Sequence, residues 1–158
     1  MKYIKISLML SIAAWGLASG LGNLVDYEGG SSVITLVMSM QLLPDAPGQW
    51  RAINSPALAH IAFVFVWGAK FATAILCTYS ALKMWQARNH EQDFNDAKTS
   101  GLIGAGISMM MLMFAFNVMS SSYFDTYLDH ELGATSNLYS FIYFGFIALN
   151  SLYISQKD

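Results

Sequence analysis

Lys70 has the strongest claim to chemistry of any side chain in this sequence. It lies in the middle of a long apolar run, Ala57 to Met84. If that run is a lipid-spanning helix, Lys70 sits about 13 residues in, about 18–20 Å from the outer surface at about 1.5 Å per residue. An ammonium so deep is costly, and intramembrane ionisable groups are functional candidates by default. Lys70 is thus a candidate proton, ion or anion site. The competing reading is a snorkelling lysine, with Trp67 one turn outward offering a cation–π contact. Helical side chains lean toward the helix N-terminus, which carries the ammonium toward the depth of Asn117 on a later apolar segment. Lys70, Asn117 and Trp67 form the candidate intramembrane polar site, and Asn150 is a further polar residue within the spans.

Other constellations are weaker. His60 and His130 both fall near the outer end, and imidazoles from two helices could ligate a haem iron. The plainer reading makes His60 a polar helix-end residue and His130 a solvated loop residue. Asp26 with Glu28, and Asp125 with Asp129 and Glu131, resemble paired carboxylates, but no histidine or cysteine framework accompanies them. They read as solvated acidic rims. Cys77 is the one cysteine, which excludes an intramolecular disulfide and a cysteine-rich metal cluster. No nucleophile elbow, phosphate-cradling glycine loop or HExxH motif occurs. The expectation is a non-enzyme, with no cofactor beyond the weak haem reading.

The elements that must position these residues follow from hydropathy. Of 158 residues, 55% are hydrophobic and 11% charged, against about 25% charged in a soluble domain. Mean hydropathy is +0.44. A net charge of -2 gives no electrostatic case for nucleic acid. Four apolar segments are expected: Ile4 to Val25, Ala57 to Met84, Leu102 to Met119 with a polar lead-in from Asp96 (a span of about 98–121), and Asn137 to Ile154 (about 137–155). About 20 residues cross a bilayer, so the last two lie near the lower limit and need their interfacial ends. Ser55-Pro56 supplies a capping hydroxyl and a first-turn proline for the second span. Ser136 or Asn137 is the expected cap of the fourth, after an interruption at Gly133. The fold class is an all-α integral membrane four-helix bundle, one membrane domain over 1–158.

Lysine and arginine set sidedness. Lys2 and Lys5 precede the first span, Lys83, Arg88 and Lys98 surround the middle connection, and Lys157 follows the fourth span. The connection 26–56 holds only Arg51, and Ser120 to Thr135 holds neither residue type. Both termini and the middle loop are therefore expected on the cytoplasmic side of the membrane. Tyr3, Trp85 and Tyr153 would form the inner aromatic belt, and Tyr27, Trp50, Tyr123 and Tyr139 the outer one. A cleaved signal peptide ending at Ala18-Ser19-Gly20 is the rival reading of the first segment, but the apolar run continues through Leu21, Leu24 and Val25.

The outer connection 26–56 is long enough for structure. Ser32 to Leu43 is apolar but too short to span, so it reads as an interfacial or re-entrant helix. Pro44, Pro47 and Gly48 break it, and Gln49 to Ile53 could form one further turn. This region reads as a lid, and Asp26, Trp50 and Arg51 make a candidate outer-loop functional surface. Tyr123 to Leu132 could form another short amphipathic turn. Gly16 with Gly20, and the row Ala14, Ala18, Gly22, have helix-packing spacing. So do Gly101 with Ala105 and Gly104 with Ser108. Packing within the bundle is favoured over a dimer seam. Met109, Met110, Met111 and Met113 make a soft patch suited to adaptable contacts or to lipid.

Asn23-Leu24-Val25-Asp26-Tyr27, Val37-Met38-Ser39-Met40 and Trp50-Arg51-Ala52-Ile53-Asn54-Ser55-Pro56-Ala57-Leu58, with Trp85 and Phe94-Asn95-Asp96-Ala97-Lys98, resemble a bacterial family of predicted small integral membrane proteins of unknown function. The likeness covers about the first two thirds of the chain. It implies four spans and a structured outer loop, and carries no catalytic residue. The chain departs from the family's pattern at Lys70, where an acidic residue is usual, and at Ser120 to Asp125, where a tryptophan-rich connection is usual. The leading expectation is a non-enzymatic accessory or scaffold protein in a larger membrane complex. Its rivals are an oligomeric small-solute or ion transporter or channel component using Lys70, and a haem-binding redox subunit. The bilayer is the expected partner, together with a larger complex or a homo-oligomer.

Overall fold

A computed structural model describes residues 1–129, 131 and 133–157. Helix α1 (Lys2–Val25) is followed by α2 (Tyr27–Met38), a 3-10 turn at Gln49–Arg51 and α3 (Pro56–Gln86). Then come α4 (Glu91–Ala97) and α5 (Thr99–Met111), which continues as a π-helix over Leu112–Tyr123. A 3-10 turn at Thr126–Leu128 leads to α6 (Gly133–Ser155). No strand occurs among the described residues. Four helical stretches are long and apolar enough to cross a membrane: Lys2–Val25, Pro56–Gln86, Glu91–Tyr123 and Gly133–Ser155, of 24, 31, 33 and 23 residues. At about 1.5 Å per residue each exceeds the roughly 30 Å of hydrocarbon. The fold is the all-α membrane bundle that the hydropathy implied.

Two seams hold the bundle, and small residues make both. Along α1 and α3, a Cβ on Gly16 would lie 2.8 Å from the Lys70 carbonyl oxygen and 3.1 Å from the Ala74 nitrogen, so the two backbones touch there. Gly20 faces the Phe71 ring more loosely, at 3.3 Å. Against α5, the stripe Thr73, Cys77 and Ser80 of α3 donates to successive carbonyls. Thr73 Oγ1 lies 2.8 Å from the Gly104 oxygen and 2.7 Å from Ser108 Oγ. Cys77 Sγ lies 3.4 Å from the Gly101 oxygen, and Ser80 Oγ 2.7 Å from that of Ala97. Such bonds join helices where lipid offers no hydrophobic drive. The other row on α1 faces outward: Ala14, Ala18 and Gly22 are exposed, and Gly22 has nothing within 4 Å. The methionine patch divides, with Met111 in the core and Met110 73% exposed.

Both termini lie at one end. The Lys5 and Lys98 ammoniums donate to the Gln156 carbonyl at 2.6 and 2.8 Å, and Lys2 Nζ donates to the Arg88 carbonyl at 2.9 Å. Lys2 and Lys98 also sit over the ring of Phe94, which is fully buried. Cations on the last carbonyls complement the negative end of the α6 dipole. Tyr3 packs edge-on to Trp85, and Tyr153 Oη donates to Met1 Sδ at this same end.

The opposite, loop end departs from the expected boundaries in three places. The first connection is helical over Tyr27–Met38 rather than from Ser32 to Leu43. Asp26 starts it by accepting from the Gly29 N–H at 3.2 Å, and Met40, in the left-handed region at φ 53°, follows its end. The fourth span begins at Gly133, so Ser136 and Asn137 lie inside the helix and do not cap it. In the second connection, Tyr123 closes the π-helix and Thr126–Leu128 forms a further turn, while His130 and Leu132 of the expected turn lie outside the described residues. The Ser55 cap is as read: its hydroxyl accepts from the Leu58 N–H at 3.4 Å, with Pro56 in the first turn.

Candidate functional site

The bundle is closed in its termini half and open in its loop half. Met9, Ile12, Cys77, Met84, Phe94, Met111 and Ile154 fill the termini half with essentially no exposure. Beyond Met111 the third span winds as a π-helix, of which only Leu112 is buried. This stretch packs mainly on α6 and leaves α3. A chain of polar contacts fixes it there. Asn117 Nδ2 donates to the Leu112 carbonyl at 3.1 Å, the five-residue spacing of π geometry, and to Ser140 Oγ at 3.3 Å. Ser140 Oγ donates to the Asn137 carbonyl at 2.7 Å. Asn137 Nδ2 donates to Thr126 Oγ1 at 3.3 Å, and Thr126 and Ser120 share a hydrogen bond at 3.0 Å. π-Helical winding is rare and appears mostly as single-turn bulges, which are frequent at functional sites.

The parted helices enclose a chamber of about 680 Å³. Its size falls in the roughly 300–1,000 Å³ range of small-molecule sites. Val33, Ile34 and Val37 of α2 form one wall, Phe65, Val66 and Lys70 of α3 a second, and Phe114, Phe116 and Met119 of the π-helix a third. Asn23 of α1 and Gly133 and Ser136 of α6 complete it. Tyr27 seats α2 on α3: its ring meets Phe63 edge-on at 4.9 Å and stacks on His60 at 5.9 Å. Ile61, Phe65 and Phe114 line the chamber while remaining 64%, 52% and 56% exposed, so it opens sideways onto the surface that faces lipid.

Of the candidate polar site, the structure brings only Lys70 to this chamber. Lys70 makes no hydrogen bond or ion pair among the described residues. The depth match to Asn117 does not become a contact, because the Asn117 amide is committed to Leu112 and Ser140. Trp67 does not provide the cation–π contact either. Its ring meets Phe71 edge-on at 5.7 Å, and its Nε1 is buried without a partner.

The outer-loop candidates make local contacts rather than meeting at one site. Asp26 caps α2, and Trp50 is 83% exposed beside the Arg51 guanidinium. Arg51 pairs with Asp125 across the two loops and lies over the Tyr123 ring at 5.6 Å. Asp125 is thus a clamp partner, not part of a solvated rim. The clamp joins loops whose neighbouring residues Ile53 and Phe124 both line the chamber. Gln49 stiffens the first loop by donating to the Met40 and Leu43 carbonyls at 3.0 and 2.6 Å. His60 Nδ1 is engaged with Tyr27 Oη at 3.3 Å, and His130 lies outside the described residues. No group of three or more metal-ligating side chains occurs among those described.

Sequence reading missed the chamber's third wall. Nothing in Leu112–Tyr123 signals a π-helix, since no glycine or proline marks the change of winding. Asn23 had a signal, a lone amide at the end of an apolar run, but it could be placed only once α1 and α3 were packed. No curated protein and no solved structure gives a significant match. The family likeness of the first two thirds runs on through the fourth span: residues 1–157 match the family described as predicted small integral membrane protein (DUF2165), and the chain belongs to it.

Proposed function

We propose that the protein is a non-enzymatic accessory protein of a bacterial inner membrane, which holds an apolar guest in its loop-half chamber. The carrying observation is that the chamber is blind. It is lined mostly by apolar side chains, opens toward lipid, and stops where the seven filled core positions begin. A pore within one chain would need a path through Met9, Ile12, Cys77 and Met111, each with no exposure. That argument favours holding over conduction and leaves the transporter reading dependent on an oligomer. The haem reading has less support, because His60 is already engaged with Tyr27. The lysine and arginine distribution supports cytoplasmic termini. The exposed Ala14, Ala18 and Gly22 row suits contact with a partner helix in a larger complex or a second copy.

The test is extraction of the protein in nanodiscs, followed by mass spectrometry of the organic extract and an ion-flux assay in liposomes. A stoichiometric apolar molecule absent from empty nanodiscs, with no protein-dependent flux, is the expected result. Protein-dependent flux, or an extract no different from empty nanodiscs, overturns the proposal.

A further inference from the structure

We infer that the guest is a single-chain amphiphile with an acidic end group, a long-chain carboxylate, and that Lys70 is the residue that selects it. This rests on the reading of the chamber as a guest site and adds the chemical class. Three observations carry it. First, the walls are aliphatic and aromatic on three sides, so the bulk of any occupant is hydrocarbon. Second, among the described lining residues Lys70 is the one cation and none is acidic. Third, Lys70 lacks an ion-pair or hydrogen-bond partner among the described residues, although it sits about 21 Å along α3 from Pro56 at helical rise.

A cation in an apolar site is unfavourable until it gains an opposite charge and hydrogen-bond acceptors. A carboxylate supplies both. A neutral alcohol of equal length supplies only an acceptor, and a quaternary ammonium only repulsion. The side chain of Lys70 leans toward the N-terminus of α3, which is the chamber side. The lateral opening bounded by Ile61, Phe65 and Phe114 gives the chain a route from the bilayer without crossing water. Asn23, which also lines the chamber and makes no hydrogen bond among the described residues, offers a second donor to the same end group.

The experiment uses the full chain in nanodiscs of zwitterionic lipid and a nitroxide-labelled stearate, with the motionally restricted fraction of its spin-resonance spectrum as the readout. Unlabelled hexadecanoate, hexadecanol and hexadecyltrimethylammonium compete. Wild-type protein is expected to prefer hexadecanoate over hexadecanol by about tenfold to a hundredfold, the worth of one charge-assisted hydrogen bond. Lys70→Gln should erase the preference, and Lys70→Arg should retain it. Ala62→Phe, which fills the chamber, should weaken both ligands.

Equal competition by hexadecanoate and hexadecanol at wild type, or a preference that survives in Lys70→Gln, overturns the acidic class and leaves the chamber reading standing. Absence of any restricted fraction at wild type, or probe binding indifferent to Ala62→Phe, overturns the chamber reading itself. Should Lys70→Gln fail to assemble, the ligand series on wild type still decides the class.

Discussion

Replacing the glycines of α1 one at a time tests the packing on which the chamber depends. A Cβ on Gly16 would stand 2.8 Å from a backbone oxygen and 3.1 Å from a backbone nitrogen of α3. Neither atom can rotate aside, so Gly16→Ala must separate the helices by several tenths of an ångström along the main seam of the bundle. Overpacking of this kind costs about 1–3 kcal/mol. At Gly20 the nearest atoms belong to the Phe71 ring, at 3.3 Å. A ring can tilt, and the expected cost of Gly20→Ala is below about 1 kcal/mol. Gly22 has nothing within 4 Å, so Gly22→Ala should be neutral, or stabilising by up to about 1 kcal/mol through helix propensity. Reversible unfolding in mixed detergent and SDS micelles, followed by circular dichroism, ranks the three. Gly16→Ala matching Gly22→Ala would refute close α1–α3 contact. If instead the Gly16–Gly20 row were a dimer seam, Gly16→Ala would dissociate an oligomer and leave unfolding of the monomer unchanged.

Thr73→Val keeps the side-chain shape and removes the hydroxyl bound to Gly104 and Ser108. The expected loss is about 0.6–2 kcal/mol, and a double-mutant cycle with Ser108→Ala should show coupling, since the two residues share one bond. Lys5→Met and Lys98→Met each remove one donor from the same Gln156 oxygen. Either alone should cost less than the roughly 1.5–3 kcal/mol of a charge-assisted bond, and the pair more than the sum. Faster amide exchange in the last turn of α6 reports this. Asp125→Asn weakens the clamp to Arg51. The pair is 16–17% exposed, so about 1 kcal/mol is expected, read as about fivefold faster release of a bound spin-labelled chain. An unchanged release rate would remove the lid role from the two loops.

The spans were legible because hydrocarbon is an undemanding reader: long apolar runs bounded by Lys2, Ser55-Pro56 and the basic middle loop define them in one dimension. The Gly16–Gly20 row and the glycines of α5 were legible for a related reason, since small residues at four-residue spacing permit only a few kinds of contact. Residue roles set by pairing were not legible. Asp26 is exposed, as a rim residue is, and also caps α2, an aspartate before Tyr27 being an ordinary start signal. The apolar run Ser32 to Leu43 carries the stronger signal in the sequence. Asp125 found Arg51 across 74 residues of chain, a closure no local pattern encodes. Asn117 was matched to Lys70 by depth alone, whereas rotation about the helix axis decides contact. The π-winding advances that rotation differently from an α-helix, so even the right depth points to the wrong neighbour.

The division into a sealed and an open half follows from where the sequence spends its small residues. Along α5, Gly101, Gly104, Ala105 and Ser108 are all buried, and the carbonyls of Gly101 and Gly104 come within reach of Cys77 and Thr73. From Leu112 onward the same span carries Phe114, Phe116 and Met119, with Ala115 the one small apolar residue before Ser120. Large side chains keep backbones apart, so this stretch cannot repeat the close approach to α3. Its polar residues Asn117 and Ser120 turn instead to Ser140 and Thr126, on the side of α6 and the second loop. Space is left between α3 and the π-helix, and α2, which Asp26 starts directly after α1, lines it. A bundle designed only for stability would have continued the glycine and hydroxyl stripe to the loop end. Its interruption at Leu112, on the helix facing Lys70, makes the opening a built feature of the fold rather than loose packing.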